Sequence, residues 1–175
     1  YRNFCNKLWN ASRFMDLQLE NRSASSTESS QLVDKWITYK FNRAASKVEK
    51  SFDEYRFDLA TQAIYEFVWY EFCDWYIELT KIRLLDKSVS EEEKSKILRS
   101  VLNILEKALR LAHPIMPFIT EEIWQHHKPH HPDSLESIMI SAFPSIDDND
   151  DEDAYRNVEW LKEMITGIRN IRGEL

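Results

Sequence analysis

Gly167 and Gly173 are the only two glycines in a chain of 175 residues, and that scarcity limits its possible folds more than any other feature. Dinucleotide fingerprints and phosphate-binding loops need two or three glycines within about eight residues, because only glycine lets backbone amides close on a phosphate. No such stretch occurs here. Sandwiches and barrels of many strands need repeated glycine-bearing turns and are disfavoured for the same reason. The length suits one domain over residues 1–175, and six tryptophans among 13% aromatic residues promise a dense core. No apolar run reaches the roughly 18 residues of a membrane span, and none reads as a signal peptide. Cys5 and Cys73 lack Cys-x-x-Cys spacing and read as reduced thiols of a cytoplasmic protein. A chain that opens on Tyr1 and ends at Leu175 inside a helical pattern reads as a piece of something longer.

Helical periodicity accounts for most of the sequence. Residues 2–15 form a first amphipathic segment, followed by a Ser-rich stretch, Glu20 to Ser30, that reads as a mobile loop. Residues 32 to about 50 align Leu32, Val33, Trp36, Ile37, Phe41, Ala44, Ala45 and Val48 on one stripe. A long aromatic-rich segment from Asp53 to Leu85 reads as the central helix, its Phe67 to Tyr76 stripe serving the core. Ser90-Glu91-Glu92-Glu93 is a capping box, with Ser90 accepting an orphan amide and Glu93 bonding back. The helix it opens ends before Pro114, whose ring restricts His113 to extended conformations. Pro117 opens a short helix to about His127. Ser137 to Phe143 is the one segment with β-like character, and a last helix runs from Asp153 to about Arg172. The expected fold is all-α, a bundle of about six helices.

The formal charge of −7 is unevenly spread. Residues 133–153 hold eight acids and no Lys or Arg, and outside them 23 basic residues stand against 22 acidic ones. The run Asp147 to Asp153 reads as a solvated loop leading into a helix N-terminus. The first fourteen residues carry Arg2, Lys7 and Arg13 and no acid. One end is therefore basic on an acidic molecule.

On a wheel of about 100° per residue, Phe4, Leu8, Ala11 and Met15 fall within about 60° of each other. Arg2, Asn3, Asn6, Asn10 and Arg13 lie opposite, with Lys7 and Phe14 adjoining. Asparagine is a poor helix former, so three on one solvent face is unusual. A carboxamide offers a paired donor and acceptor that match a base edge. Arginines can hold phosphates, and Phe14 can stack on a splayed nucleotide. On the wheel alone, a polar face with incidental arginines is the commoner arrangement.

The run Arg2-Asn3-Phe4-Cys5-Asn6-Lys7-Leu8-Trp9-Asn10-Ala11-Ser12-Arg13-Phe14 resembles the segment that opens the anticodon-binding domain of valyl-tRNA synthetases. Asp34-Lys35-Trp36-Ile37, Glu71-Phe72-Cys73-Asp74-Trp75-Tyr76-Ile77-Glu78 and the closing Ile168-Arg169-Asn170-Ile171-Arg172 resemble later segments of that family in the same order. His113-Pro114-Ile115-Met116-Pro117-Phe118-Ile119-Thr120-Glu121-Glu122-Ile123-Trp124 is shared with isoleucyl and leucyl relatives. The Ser-rich loop and the His-Pro cluster depart from the pattern, and the family's C-terminal coiled-coil extension lies beyond these residues. The resemblance implies a helical module that grips the anticodon stem and loop of a valine tRNA and reads its central A and the following C. It places Arg2, Asn3, Asn6, Asn10 and Arg13 toward the loop, Lys7 on phosphate and Phe14 in a stack.

Neither the His-Ile-Gly-His nor the Lys-Met-Ser-Lys-Ser signature of class I synthetases occurs, so ATP, with Mg, would serve a catalytic domain elsewhere in the parent enzyme. No cofactor, catalytic residue or metal site is expected within this domain. His126, His127, His130 and His131 are interrupted by Pro129 and read as a solvated loop instead of a metal site. Asp74 and Glu78 read as partners for neighbouring helices or Lys81. The expected molecule is a monomeric, cytoplasmic RNA-recognition module. The alternatives are the equivalent isoleucyl domain and a helical protein-interaction scaffold.

Overall fold

A computed structural model describes residues 2–131, 135–146 and 151–174. Helix α1 (Arg2–Leu19) is followed by α2 (Leu32–Asp53) and α3 (Phe57–Glu66). A π-helical stretch (Phe67–Tyr76) then carries the chain unbroken into α4 (Ile77–Leu85). Helices α5 (Glu91–Ala112), α6 (Pro117–His127) and α7 (Glu152–Glu174) complete the bundle. With α3, the π stretch and α4 taken as one rod, six helices and no strand are found among the described residues. Helix α5 lies deepest, burying Ile97, Leu98, Val101, Leu102, Leu105 and Leu109. Val158 anchors the first half of α7, whereas Ile168 and Ile171 in its second half are exposed.

The π winding follows from the spacing of the apolar residues. Buried pairs occur at Ala63-Ile64, Phe67-Val68, Phe72-Cys73 and Tyr76-Ile77, so the middle step is five residues and its neighbours four. In an α-helix a five-residue step turns a side chain by about 140° away from its predecessor, which would carry Phe72 and Cys73 out of the core. Wider turns keep them facing inward, and the Ile77 N–H accordingly bonds to the Phe72 carbonyl, five residues back. Ten residues of this winding exceed the single-turn bulge in which it is usually found.

The rod expected from Asp53 to Leu85 starts at Phe57 instead, because α2 runs on to Asp53. The chain turns at Glu54–Arg56, where the Arg56 N–H bonds to Ser51 O at 2.8 Å and the Tyr55 N–H to Phe52 O at 3.0 Å. These are the two bonds of a Schellman ending. Tyr55 occupies its left-handed position with φ 57°, where glycine is usual, so no glycine marks the exact break.

The Ser-rich loop is anchored, contrary to expectation. Ser25 N–H bonds to Ser95 O at 3.0 Å, Arg99 Nε donates to Ser25 O at 2.6 Å, and Ser29 N–H donates to Ser100 Oγ at 2.9 Å. Residues expected to be β-like form only a 3-10 turn, Ile138–Ile140, which buries Ile138 and is capped by the Ser137 hydroxyl. No neighbouring strand exists among the described residues to pair with. His113 keeps helical angles, φ −55° and ψ −41°, and its Nδ1 lies 2.8 Å from Thr120 Oγ1, a bond that holds the α5–α6 turn. Ser90 caps α5 by accepting from the Glu93 N–H at 3.2 Å, while Glu93 Oε1 accepts from Ser29 Oγ at 3.0 Å. Of the acidic run, Asp147 to Asp150 lie outside the described residues, as does Asp133. Asp151 begins α7 by accepting from the Ala154 N–H at 2.8 Å.

A buried polar latch ties α2 to the rod. Asp34, 5% exposed, accepts from Tyr76 OH at 2.8 Å and from Arg83 Nη1 at 3.1 and 3.0 Å. Arg83 Nη2 donates onward to Ser29 Oγ at 3.0 Å.

Two stability changes are expected. Replacing Tyr55→Gly relieves left-handed strain and should raise stability by about 1 kcal/mol, read as a higher urea midpoint. Arg83→Met strands a buried carboxylate and should lower stability by about 3 kcal/mol in the same measurement.

Candidate nucleic-acid interface

Helix α1 buries Phe4, Leu8, Ala11 and Met15, the stripe the wheel selects, together with Ser12. It lies between the π-helical rod and α6, and each side fixes its rotation. Toward the rod, Phe4 stacks on Tyr65 (centroids 5.4 Å apart, planes at 28°) and on Trp69 (6.4 Å, 22°). Lys7 Nζ sits 3.9 Å over the Trp69 ring and donates to Asp74 Oδ1. Phe14 is half-buried, and Lys81 Nζ lies 5.3 Å from its ring. Positions 7 and 14 are almost two full turns apart, which is why the same flank of α1 presents both to the rod. Toward α6, Ser12 Oγ lies 2.8 Å from His127 Nε2. Asp16 is 3.0 Å from His126 Nε2 and 3.7 Å from His127 Nδ1.

The outward face of α1 carries Arg2, Asn3, Asn6, Asn10 and Arg13, all exposed. None of their side chains has a hydrogen-bond or ion-pair partner among the described residues. Five of the seven expected RNA-facing residues therefore share one open surface with free amides and guanidinium groups. Lys7 and Phe14 do not belong to it in the same sense. Lys7 is matched by Asp74, so its charge is locally balanced, and Phe14 has Lys81 against its ring. Asp74 and Glu78 have the structural role expected of them, Glu78 accepting from Lys81 at 2.6 Å.

Tyr65, Trp69 and Tyr70 also lie at this edge, and the half-exposed Tyr70 departs from the expectation that the whole Phe67 to Tyr76 stripe serves the core. Tyr65 stacks on Trp69 at 5.5 Å and 18°, and Tyr70 meets Tyr65 edge-on at 5.9 Å. Tyr65 is 37% and Tyr70 49% exposed. The five-residue step in the buried pairs was the available signal. It assigns Phe67, Val68, Phe72 and Cys73 to the core and leaves the residues between them on the flank.

The buried thiol and histidines nearby are structural. Burial pushes the Cys73 thiol up to about 12, with Lys7 acting against it and Asp74 adding to it, so this sulfur is not a nucleophile. The histidine cluster is not a solvated loop: His127 is buried, and burial, with His126 and His130 adding to it against Asp16, lowers its pKa to about 4. His131 is likewise lowered to about 4 by burial. Among the described residues no three potential metal ligands come together.

The chain is similar to known proteins along its whole length. The family described as the anticodon-binding domain of tRNA ligase matches residues 34–175. A valine–tRNA ligase of Psychrobacter arcticus is 43% identical over 185 aligned positions, covering all of this chain and 19% of that protein. Valine–tRNA ligases of Acinetobacter baylyi and Laribacter hongkongensis are each 44% identical, again covering all of this chain and 18% and 19% of their own lengths. The chain thus spans about a fifth of the length of the curated relatives it matches. The alignments with these relatives include α1, which lies before the family match.

The buried imidazole has a measurable consequence. With a folded-state value near 4 for His127 against about 6.5 when unfolded, the unfolded chain takes up the proton first. The stability that His127 contributes is complete above about pH 6.5 and is lost as pH falls toward 4. The urea midpoint should drop across that window. His127→Gln, which keeps a partner for Ser12, should drop less steeply, and an equally steep fall would remove His127 as the cause.

Proposed function

We infer function from one premise: this chain belongs to the family of anticodon-binding domains of tRNA ligases. On that premise its role is to bind the anticodon stem and loop of a valine tRNA, as one domain of a valine–tRNA ligase. The observation that carries the reading is the open face of α1, where three carboxamides and two guanidinium groups have no partner within the described residues. Such groups can pair with the edges of unstacked loop bases, and arginines with the flanking phosphates. Arg2, Asn3, Asn6, Asn10 and Arg13 are the direct contacts in this reading. Lys7 reaches a phosphate by exchanging Asp74 for it, and Phe14 contributes its uncovered edge.

Joining valine to tRNA requires ATP, with Mg, and these residues do not fit that task. Both glycines sit in α7, and a methyl group added at either would meet nothing within 4 Å, so neither marks a close approach of backbone to ligand. Adenylate chemistry then belongs to another domain of the parent enzyme, while this one contributes binding and orientation. No helix among the described residues is long and apolar enough to cross a membrane. Cys5 and Cys73 are free thiols, the state that a reducing compartment maintains, which supports a module working in the cytoplasm; we take it to act as a monomer. The valine assignment is favoured over the isoleucine one by the names of the relatives.

The test is binding of a valine anticodon stem-loop across a salt series. Asn10→Ala should cost about 1 to 3 kcal/mol and relax choice at one base, while Arg13→Gln should weaken all sequences alike and flatten the salt slope. Exchange of the last two anticodon bases should abolish preference for the cognate loop. Binding insensitive to salt and to those bases would favour a protein scaffold.

A further inference from the structure

Resting on that reading, we propose that Tyr65, Trp69 and Tyr70 form a stacking platform for one unpaired nucleobase of the same RNA, beside the amide face of α1. The three rings touch in sequence, Trp69 to Tyr65 at 5.5 Å and Tyr65 to Tyr70 at 5.9 Å. The inner end of the group is closed: Phe4 stacks against Tyr65 and Trp69, and Lys7 covers Trp69. The outer end is open. Tyr70 meets Tyr65 by an edge, at 84°, and through a side-chain hydrogen bond, and no other ring or cation stacks on Tyr70 among the described residues. The winding of the rod explains why such a ring sits outside the core. With Phe67, Val68, Phe72 and Cys73 turned inward, Tyr70 lies between the buried pairs on the opposite side of the turn.

The surroundings fit a nucleic-acid base better than an apolar protein segment. Phe4 and Lys7, the α1 residues that contact this group, alternate along the helix with Asn3 and Asn6, which are free to bond. Arg2 adds an unpaired positive charge, and Lys7 becomes one if a phosphate displaces it from Asp74. An exposed aromatic ring bordered by amides and cations is the arrangement by which single strands are held. Every base has a π face, so this platform contributes affinity without choosing among bases. Selectivity stays with the asparagines.

The experiment compares this chain with its Tyr70→Phe, Tyr70→Leu and Tyr70→Ala forms. Each is titrated with a valine anticodon stem-loop, with a stem-loop of altered loop bases, and with the same stem closed into a duplex without a loop. Tyr70 is half-exposed, so an unchanged urea midpoint is expected in all forms. Tyr70→Phe should bind as the parent does. Tyr70→Leu and Tyr70→Ala should lose roughly tenfold in affinity, equally for both loops and not for the duplex. If the parent fails to bind any stem-loop, the tRNA-binding reading falls and the platform with it. If the parent binds and Tyr70→Leu and Tyr70→Ala bind as well as it does, the platform alone is overturned. It is equally overturned if the loss extends to the loopless duplex, since the contact would then be with backbone.

Discussion

Asp34 stands buried in the first turn of α2, and the groups that satisfy it come from two other parts of the chain: the hydroxyl of Tyr76 at the end of the π stretch and the guanidinium of Arg83 in α4. A carboxylate in that position is costly without such partners, so the three must be brought together for α2 to pack at all. Arg83 then reaches Ser29, and Ser29 reaches Glu93 and Ser100 of α5. One buried charge thereby settles the register of α2 against the rod and draws the 20–31 segment across α5. The apolar residues supply the driving force for collapse. The directional bonds around Asp34 select one arrangement among those that bury a similar area.

Helix α1 takes its place from what that register presents. Its two flanks are read by different chemistry, aromatic and cationic contacts from the rod on one side and a serine–histidine bond from α6 on the other. Together they prevent rotation about its axis, so the asparagines and arginines are held outward without any contact of their own. An unpartnered polar face is then a property of the whole bundle and not of α1 in isolation.

Much of this was legible in the sequence because helical faces are written in period. The stripe of α1, the cap at Ser90 and the proline start of α6 all follow from local rules that tertiary structure did not override. The failures have local causes too. Tyr55 occupies a position where glycine usually marks a helix ending, and without that mark the boundary between α2 and α3 is read a few residues early. The 20–30 stretch has loop composition, but composition says nothing of Ser95, Arg99 and Ser100 waiting on α5. Ser137 to Phe143 has the residues of a strand but no strand beside it among the described residues. At the site, the open face was readable from the wheel, whereas the engagement of Lys7 by Asp74 pairs positions 67 residues apart, beyond any periodic argument. Tyr65 and Tyr70 were hidden by the assumption of a uniform 3.6-residue turn.

The π stretch also sets how this fold can tolerate changes of chain length. A π turn holds more residues than an α turn, so the rod carries surplus chain between α3 and α4. Loss of one residue between Val68 and Phe72 could be absorbed by tightening to α-winding, which would restore a four-residue step between buried pairs and keep Tyr76 and Arg83 in phase with Asp34. A gained residue has no such outlet, because the turns are already wide. The rod should therefore accept deletions where it refuses insertions, an asymmetry opposite to that of surface loops, and one that makes this buried helix a reservoir of length in the evolution of the domain.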